Sequence, residues 1–474
     1  MGHKTKVIAT VGPASNSPEG LRELVKAGVN VFRLNFSHGT HEEHAEVIKR
    51  IRTINEELQS NIAILADLQG PKLRVGEIEG GALVLEKGDI VAFSNQEEVN
   101  GTKDSIYISY PNFHLDCKVG EKILLDDGKI DAEIVEITPE PLVKVKILVG
   151  GVLLPNKGVN LPDTNISLPS LTEKDLRDLD FIIENEIDWI GLSFVRKPKD
   201  IFDLRFILTS KGSKAKIIAK IEKPEAVFHL REIILASDAV MVARGDLGVE
   251  MPVEKVPMIQ KDIVRKCIHR AKPVIIATQM MESMMERSRP NRSEVSDVAN
   301  AVMEGADCVM LSGETAMGNH PALVVQTMVN IIKEVEQEKM VYNRNLVPQP
   351  HSPSFLSDAL CYNACKIAED VNADALIGMT QSGYTAFMLS SFRPYASLYV
   401  FTQTKELVNQ LSLSWGVKAF YYEEKTDLDL MIEMQLKILK MHKLVEKGDV
   451  VVSTGSLPVT ERLPTNMVKI SEVK

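Results

Sequence analysis

The chain has no run of about 18 apolar residues, so nothing in it has the length and apolarity of a membrane-spanning helix. It also has no apolar h-region ahead of a cleavage site, so MGHKTKVIATVG does not read as a secretory leader. Cysteine is scarce, with five residues: Cys117, Cys267, Cys308, Cys361 and Cys365. Their odd number, their scatter and the lack of a Cys-x-x-Cys pair argue against a disulfide framework and predict free thiols in a reducing compartment. Cys361 and Cys365 share a helical face, where core thiols are expected rather than a metal pair. Aromatic residues make up only 5%, and 55 Lys and Arg against 65 Asp and Glu leave a formal charge of -10. Nucleic acid and anionic membrane therefore find no global electrostatic support as partners. These absences predict a cytoplasmic protein.

What is present is an ordinary globular balance, 44% hydrophobic and 25% charged, in 474 residues, too many for one compact core. Eight short segments rich in Val and Ile recur, each followed by a helix-like stretch: KVIATVG, NVFRLNFSH, IAILADLQG, WIGLSFVRK, KIIAKIEK, AVMVARGD, PVIIATQM and CVMLSGET. Strands of this kind are buried on both faces, and eight βα units predict an α/β fold built on a TIM (β/α)8 barrel.

Between the third and fourth segments the pattern changes to alternation, in LVLEKGDIVAFS, KILLDDGKIDAEIVEI and LVKVKILVGGVLL, with an Asp127-Gly128 turn. This predicts a small all-β domain inserted over the barrel mouth. After VVQTMVNIIKEVEQEK, the proline-rich NLVPQPHSPS reads as a linker into a C-terminal α/β domain with strands in ADALIGMT, SLYVFTQ and DVVVSTG. The expected boundaries are 1–70 with 165–344 for the barrel, 71–164 for the β lid and 345–474 for the C-terminal domain.

Catalytic residues of such barrels gather at the C-terminal ends of the strands, and here those ends are dense in ionisable and polar groups. They carry Arg33, Asn35 and Ser37; Asp67; Arg196 and Lys197; Lys220 and Glu222; Arg244 and Asp246; Thr278; and Ser312 and Glu314. Lys220 and Glu222 are two apart on one strand and share a face. Charge on an apolar strand needs a partner or a ligand, and a structural ion-pair ladder does not readily account for so many cations beside carboxylates. Glu222 and Asp246, on adjacent strands, suit magnesium and so imply a phosphorylated substrate. Gly245 and Gly248 let a backbone approach an anion. In the C-terminal domain Thr380, Ser382, Gly383 and Thr385 stand where a loop enters a helix, a position that suits a phosphate or a simple N-cap. His38, His41 and His44 lack the spacing of a metal motif, and Met280, Met281, Met284 and Met285 read as core or subunit packing.

Taken together, RLNFSHGTHEEH, KIEKPEAV, VMVARGDLGVE, ATQMMESM, NRSEVSDVANAV and LSGETA closely resemble the signature segments of the pyruvate kinase family. The resemblance covers nearly the whole chain. It implies transfer of the phosphoryl group of phosphoenolpyruvate to ADP, giving ATP and pyruvate, with Mg2+ (or Mn2+) on Glu222 and Asp246. It further implies that Lys220 stabilises the transferring group and the enolate, and that Arg33 binds phosphate. Gly245, Asp246 and Thr278 would cradle the substrate carboxylate, and Asn35, His38, Arg74 and Lys197 would surround the nucleotide. A homotetramer is implied as well, together with a sugar-phosphate effector at the C-terminal loop, where Gln381 and Tyr384 replace the basic residues common in activated members.

One departure is informative. The family's K+ pocket matches Asn35, Ser37, Asp67 and the carbonyl of Leu68. Potassium-dependent members, however, read threonine, lysine, glutamate and threonine where this chain has Leu68, Gln69, Lys72 and Val75. Lys72 is therefore expected to supply the monovalent charge itself, so that K+ is not required. Two rival readings stand: a magnesium-dependent enzyme of pyruvate-enolate carbon-carbon chemistry, and a catalytically inactive binding protein on the same scaffold.

Overall fold

The computed structural model describes residues 2–96, 101–139, 142–343, 346–350, 352–422, 428–458 and 463–474. All eight apolar segments form parallel strands: β1 (Lys6–Thr10), β2 (Val31–Asn35), β3 (Ala63–Asp67), β4 (Trp189–Leu192), β5 (Lys216–Ile221), β6 (Ala239–Ala243), β7 (Val274–Ala277) and β8 (Cys308–Leu311). They close in the order β1-β8-β7-β6-β5-β4-β3-β2. Apart from Lys6, Thr10, Arg33, Asn35, Asp67, Lys216 and Lys220, the strand residues are apolar or glycine, and most are fully buried, as expected of strands covered on both faces. The register sets Asn35 beside Asp67, and Asp67 beside Gly191. A Cβ on Gly191 would lie 3.0 Å from Asp67 Oδ1, so the glycine makes room for the carboxylate.

The insertion after β3 is an all-β domain with its own core, including Phe93, Phe113, Ile123, Ile134 and Val145. Its six-stranded sheet runs Val159–Asn160, Lys122–Leu125, Ile130–Ile137, Leu142–Val149, Ile90–Ser94 and Ile106–Tyr107. It leans on the barrel beside the helix Arg244–Glu250. Asn160 Nδ2 donates to Glu250 Oε1 at 2.7 Å, and a Cβ on Gly128 would lie 3.8 Å from Val249.

The C-terminal sheet has the order β11-β10-β9-β12-β13, where β9 is Ala375–Met379, β10 Ser397–Thr402, β11 Val417–Tyr421, β12 Val450–Gly455 and β13 Met467–Glu472. β13 pairs antiparallel with β12, and the other pairings are parallel. Of the proline-rich break at 345–354, residues 345 and 351 lie outside the described residues.

The C-terminal domain seals the barrel floor. Leu413 joins the barrel-interior cluster of Ile8, Leu65, Trp189 and Met310. Trp189 Nε1 donates to Gln410 O at 3.1 Å, and Arg393, 1% exposed, donates to Asp307 Oδ1 at 3.0 Å. The five cysteines are free and buried, and Met280, Met281 and Met284 are core residues. Among the described residues no helix is long and apolar enough to cross a membrane.

Candidate active site

Lys220, near the end of β5, stands at the centre of the mouth. Its Nζ lies 2.9 Å from Glu222 Oε1, 3.1 Å from Asp67 Oδ1 and 2.8 Å from Ser193 Oγ. Burial alone lowers the pKa of this ammonium, but Asp67, Glu222 and Asp246 outweigh burial and hold it above the ordinary lysine range. It is a fixed positive charge. Arg33 closes the other side of Asp67, with Nε 2.7 Å from Oδ2, and donates from Nη1 to Thr10 Oγ1 at 3.0 Å. Burial pushes Asp67 upward, yet Lys220 and Arg33 together hold its carboxyl below the usual range.

Glu222 behaves in the opposite way. Burial raises its pKa, the nearby Asp246 charge adds to the rise, and the opposing pull of Lys220 does not cancel them. Two repelling carboxylates from adjacent strand ends form the hard-oxygen donor set that a divalent cation neutralises, so the residues fit magnesium. Among the described residues no group of three His, Cys, Asp or Glu is arranged for a metal, and the fit rests on these two carboxylates. Asn35, Asp67 and Leu68, expected at a monovalent cation, have protein partners here. The buried Asp67 Oδ1 has an ionic contact with Lys220 but no hydrogen bond among the described residues, and Leu68 O lies nearby, bonded by Ser193 Oγ at 2.7 Å. Asn35 Oδ1 accepts from Ser37 N at 3.2 Å.

Across the mouth, Gly245 N donates to Thr278 Oγ1 at 2.7 Å, and Thr278 Oγ1 donates to Ala277 O at 2.6 Å. Thr278 and Gln279 both have left-handed backbone, φ 68° and 55°, a sparsely populated conformation for non-glycine residues. The turn aims Thr278 at the backbone of the helix Arg244–Glu250, whose first turn carries Asp246.

Several strand-end residues serve the frame. Arg244 pairs with Asp297 at 2.7 Å and donates to Thr278 O, bracing that turn. Arg196 ties the guanidinium to the carbonyls of Ile166 and Leu168. Glu314 accepts from the backbone of Ser312 at 2.7 Å and of Met281 at 3.2 Å. Lys197 starts the helix Pro198–Ser210. His38 is exposed and its carbonyl accepts from His44 Nε2, whose ring stacks on Phe36, while His41 Nε2 lies 2.8 Å from Asp178.

Arg74 and Lys72 belong to the inserted domain. Arg74 Nη1 donates to Asn156 O at 2.8 Å, and its backbone bridges to Gly158. This brings it next to Lys157, a cation that the sequence reading did not single out, whose ammonium lies 2.9 Å from Asp126 Oδ1. Lys157 sits in a polar loop with no periodicity to flag it. Lys72 lies against the same segment: a Cβ on Gly158 would sit 3.7 Å from Lys72 Cε and 3.9 Å from Asp127 Oδ1. The ion pairs of Asp67 are with Arg33 and Lys220.

In the C-terminal domain Gly383 N donates to Thr380 Oγ1 at 3.0 Å, Tyr384 N to Ser382 Oγ at 3.4 Å, and the Thr385 and Thr465 hydroxyls meet at 2.7 Å. The loop is polar and leads into the helix Tyr384–Ser391.

The chain is similar to known proteins along nearly its whole length. The chain matches the pyruvate kinase barrel domain over residues 2–325 and the pyruvate kinase alpha/beta domain over residues 358–471. It is 42% identical over 471 residues to pyruvate kinase of Corynebacterium glutamicum, covering 99% of this chain and 98% of that one. It is 41% identical over 472 residues to pyruvate kinase of Staphylococcus aureus, covering 98% of this chain and 80% of that one. A crystal structure of a pyruvate kinase from Cryptosporidium parvum superposes with a TM-score of 0.94 at 34% identity, covering 100% of this chain and 96% of that one. The chain belongs to the pyruvate kinase family.

Proposed function

We propose that this mouth transfers the phosphoryl group of phosphoenolpyruvate to ADP, releasing ATP and pyruvate, with the residues acting as follows. The observation that carries the assignment of roles is the Lys220 ammonium, held at once by Asp67, Glu222 and Ser193 beside Arg33. Its charge is fixed before substrate arrives, so stabilising charge that develops on the transferring group costs no reorganisation.

Arg33 and Lys220 hold the phosphoryl oxygens from two sides. In the free protein Gly245 N–H donates to Thr278 Oγ1 and Thr278 O–H donates to Ala277 O, and both donors turn to the substrate carboxylate when it binds. Lys220 then stabilises the enolate left when the phosphoryl group departs. A threonine hydroxyl is too weak an acid to protonate the enolate alone, so Thr278 orients a water or proton chain at that face. When bound to Glu222 and Asp246, magnesium supplies Lewis-acid charge beside the transferring group. Asn35, His38, Arg74 and Lys197 are assigned to the nucleotide, and Lys157, next to Arg74, joins them.

The same reading takes 1–70 with 165–344 as barrel, 71–164 as lid and 345–474 as regulatory domain, in a cytoplasmic homotetramer. Thr380, Ser382, Gly383 and Thr385 take the phosphate of a sugar-phosphate effector. Lys72 supplies the monovalent charge when the lid closes, entering from its position beside Gly158. The test of this last point is turnover in potassium-free buffer. The wild type should be fully active without potassium and Lys72→Glu should become potassium-dependent; a wild type silent until potassium is added refutes the role of Lys72.

A further inference from the structure

We propose that Ser193 and Phe194, just beyond β4, form a positioning elbow that couples the hinge of the inserted domain to Lys220 and Glu222. The inference rests on the roles proposed above for those two residues.

Ser193 is 2% exposed, and its hydroxyl is fully committed. It accepts from Lys220 Nζ at 2.8 Å and donates to Leu68 O at 2.7 Å. An ammonium can only donate and a carbonyl can only accept, so the direction of this chain is fixed. The Lys220 ammonium is thereby tied to the backbone carbonyl two residues before the hinge. Phe194 continues the elbow. Its backbone N–H donates to Glu222 Oε2 at 2.8 Å, and its φ of 54° is left-handed, a conformation that a bulky residue holds only where its surroundings impose it.

The surroundings that impose it are the hinge. Gly70 has φ 67°, and a Cβ there would stand 2.8 Å from Phe194 Cδ2 and 3.1 Å from Ser193 Cβ. The hinge backbone thus rests directly on the elbow. Asp175, fully buried, clasps the hinge from the barrel side: Oδ1 accepts from Gly70 N at 3.2 Å, while Oδ2 accepts from Thr172 N at 2.8 Å and caps the start of its own helix. Rotation of the inserted domain about this clasp presses Gly70 on Ser193 and Phe194. That pressure reaches the ammonium through one hydrogen bond and the metal carboxylate through another. Ser193 touches none of the reacting atoms and acts through Lys220.

Ser193→Thr and Ser193→Val test this directly, because they differ in the hydroxyl and share the added methyl. The Thr variant should keep kcat within roughly threefold of wild type, and the Val variant should lose roughly tenfold or more in kcat, with KM for phosphoenolpyruvate little changed. Without substrate or metal, amide exchange over residues 66–74 should be faster in Val than in Thr. Gly70→Ala, which crowds the elbow from the hinge side, should also lower kcat. Equal kcat and equal exchange in the Thr and Val variants, or a Val variant that only melts earlier, would overturn the role of Ser193. Normal kcat in Gly70→Ala would overturn the coupling to the hinge. Wild-type turnover in the same assay keeps these outcomes apart from a failure of the functional reading, and the exchange comparison does not depend on turnover.

Discussion

Replacing Lys220 with methionine keeps most of the side-chain volume and removes the charge. In the free protein the ammonium neutralises two buried carboxylates, at 2.9 Å on Glu222 and 3.1 Å on Asp67. Removing one partner of a buried ion pair typically costs about 3–5 kcal/mol. Part of that loss is recovered here. Arg33 remains on Asp67, and Glu222, already raised by burial and by Asp246, can take up a proton. The folded pKa of Glu222 in the variant then lies further above its unfolded value, so stability is lost as pH rises through that window. The variant should thus be closer to wild type at pH 5 than at pH 8. The catalytic loss is separate. Removing one preorganised charge from a shielded site costs on the order of 10²–10³ in kcat. Urea unfolding at the two pH values and steady-state ATP formation measure the two consequences independently. A folded Lys220→Met protein with kcat within about tenfold of wild type would refute the electrostatic clamp.

Two further outcomes concern the frame. Asp188, buried between β3 and β4 and accepting from Ile64 N at 2.8 Å, is pushed up to about 7 mainly by burial. Folded Asp188 holds its proton to about pH 7 while the unfolded chain loses it in the ordinary carboxyl range, so wild-type stability falls as pH rises between the two and Asp188→Asn should gain more stability relative to wild type at pH 8 than at pH 5. Urea midpoints at both pH values check this. Arg393 donates to Asp307, to Gly305 O at 2.7 Å and to Ser390 O at 2.9 Å, and stacks 4.9 Å from the Trp415 ring. Arg393→Leu should lower stability by about 3–5 kcal/mol by leaving Asp307 without its cation, read as a lower urea midpoint.

The barrel was legible because its strands are nearly continuous runs of Val, Ile and Ala bounded by polar ends, a pattern that a barrel buried on both faces demands. Lys220 and Glu222 stood out because charge at i and i+2 on such a strand is costly without a purpose. Two strands of the C-terminal sheet were missed for the opposite reason. In β11, KAFY follows a single valine with no clear alternation, and β13 is a half-exposed edge whose MVKISE mixes both kinds of residue. Ser193 and Phe194 were invisible because a small hydroxyl next to an aromatic carries no signal, and the left-handed turn at Phe194 is set by the hinge packed on it. Arg196, Arg244 and Glu314 looked like site residues by position. Their partners are backbone carbonyls, backbone amides and Asp297, which only folding brings together.

The most direct measurement is the stoichiometry of products from phosphoenolpyruvate, ADP and magnesium with the full chain. One ATP for each pyruvate, with neither formed when ADP is omitted, is the predicted result. Pyruvate formed without ADP, or no turnover by folded protein, would contradict phosphoryl transfer at this mouth.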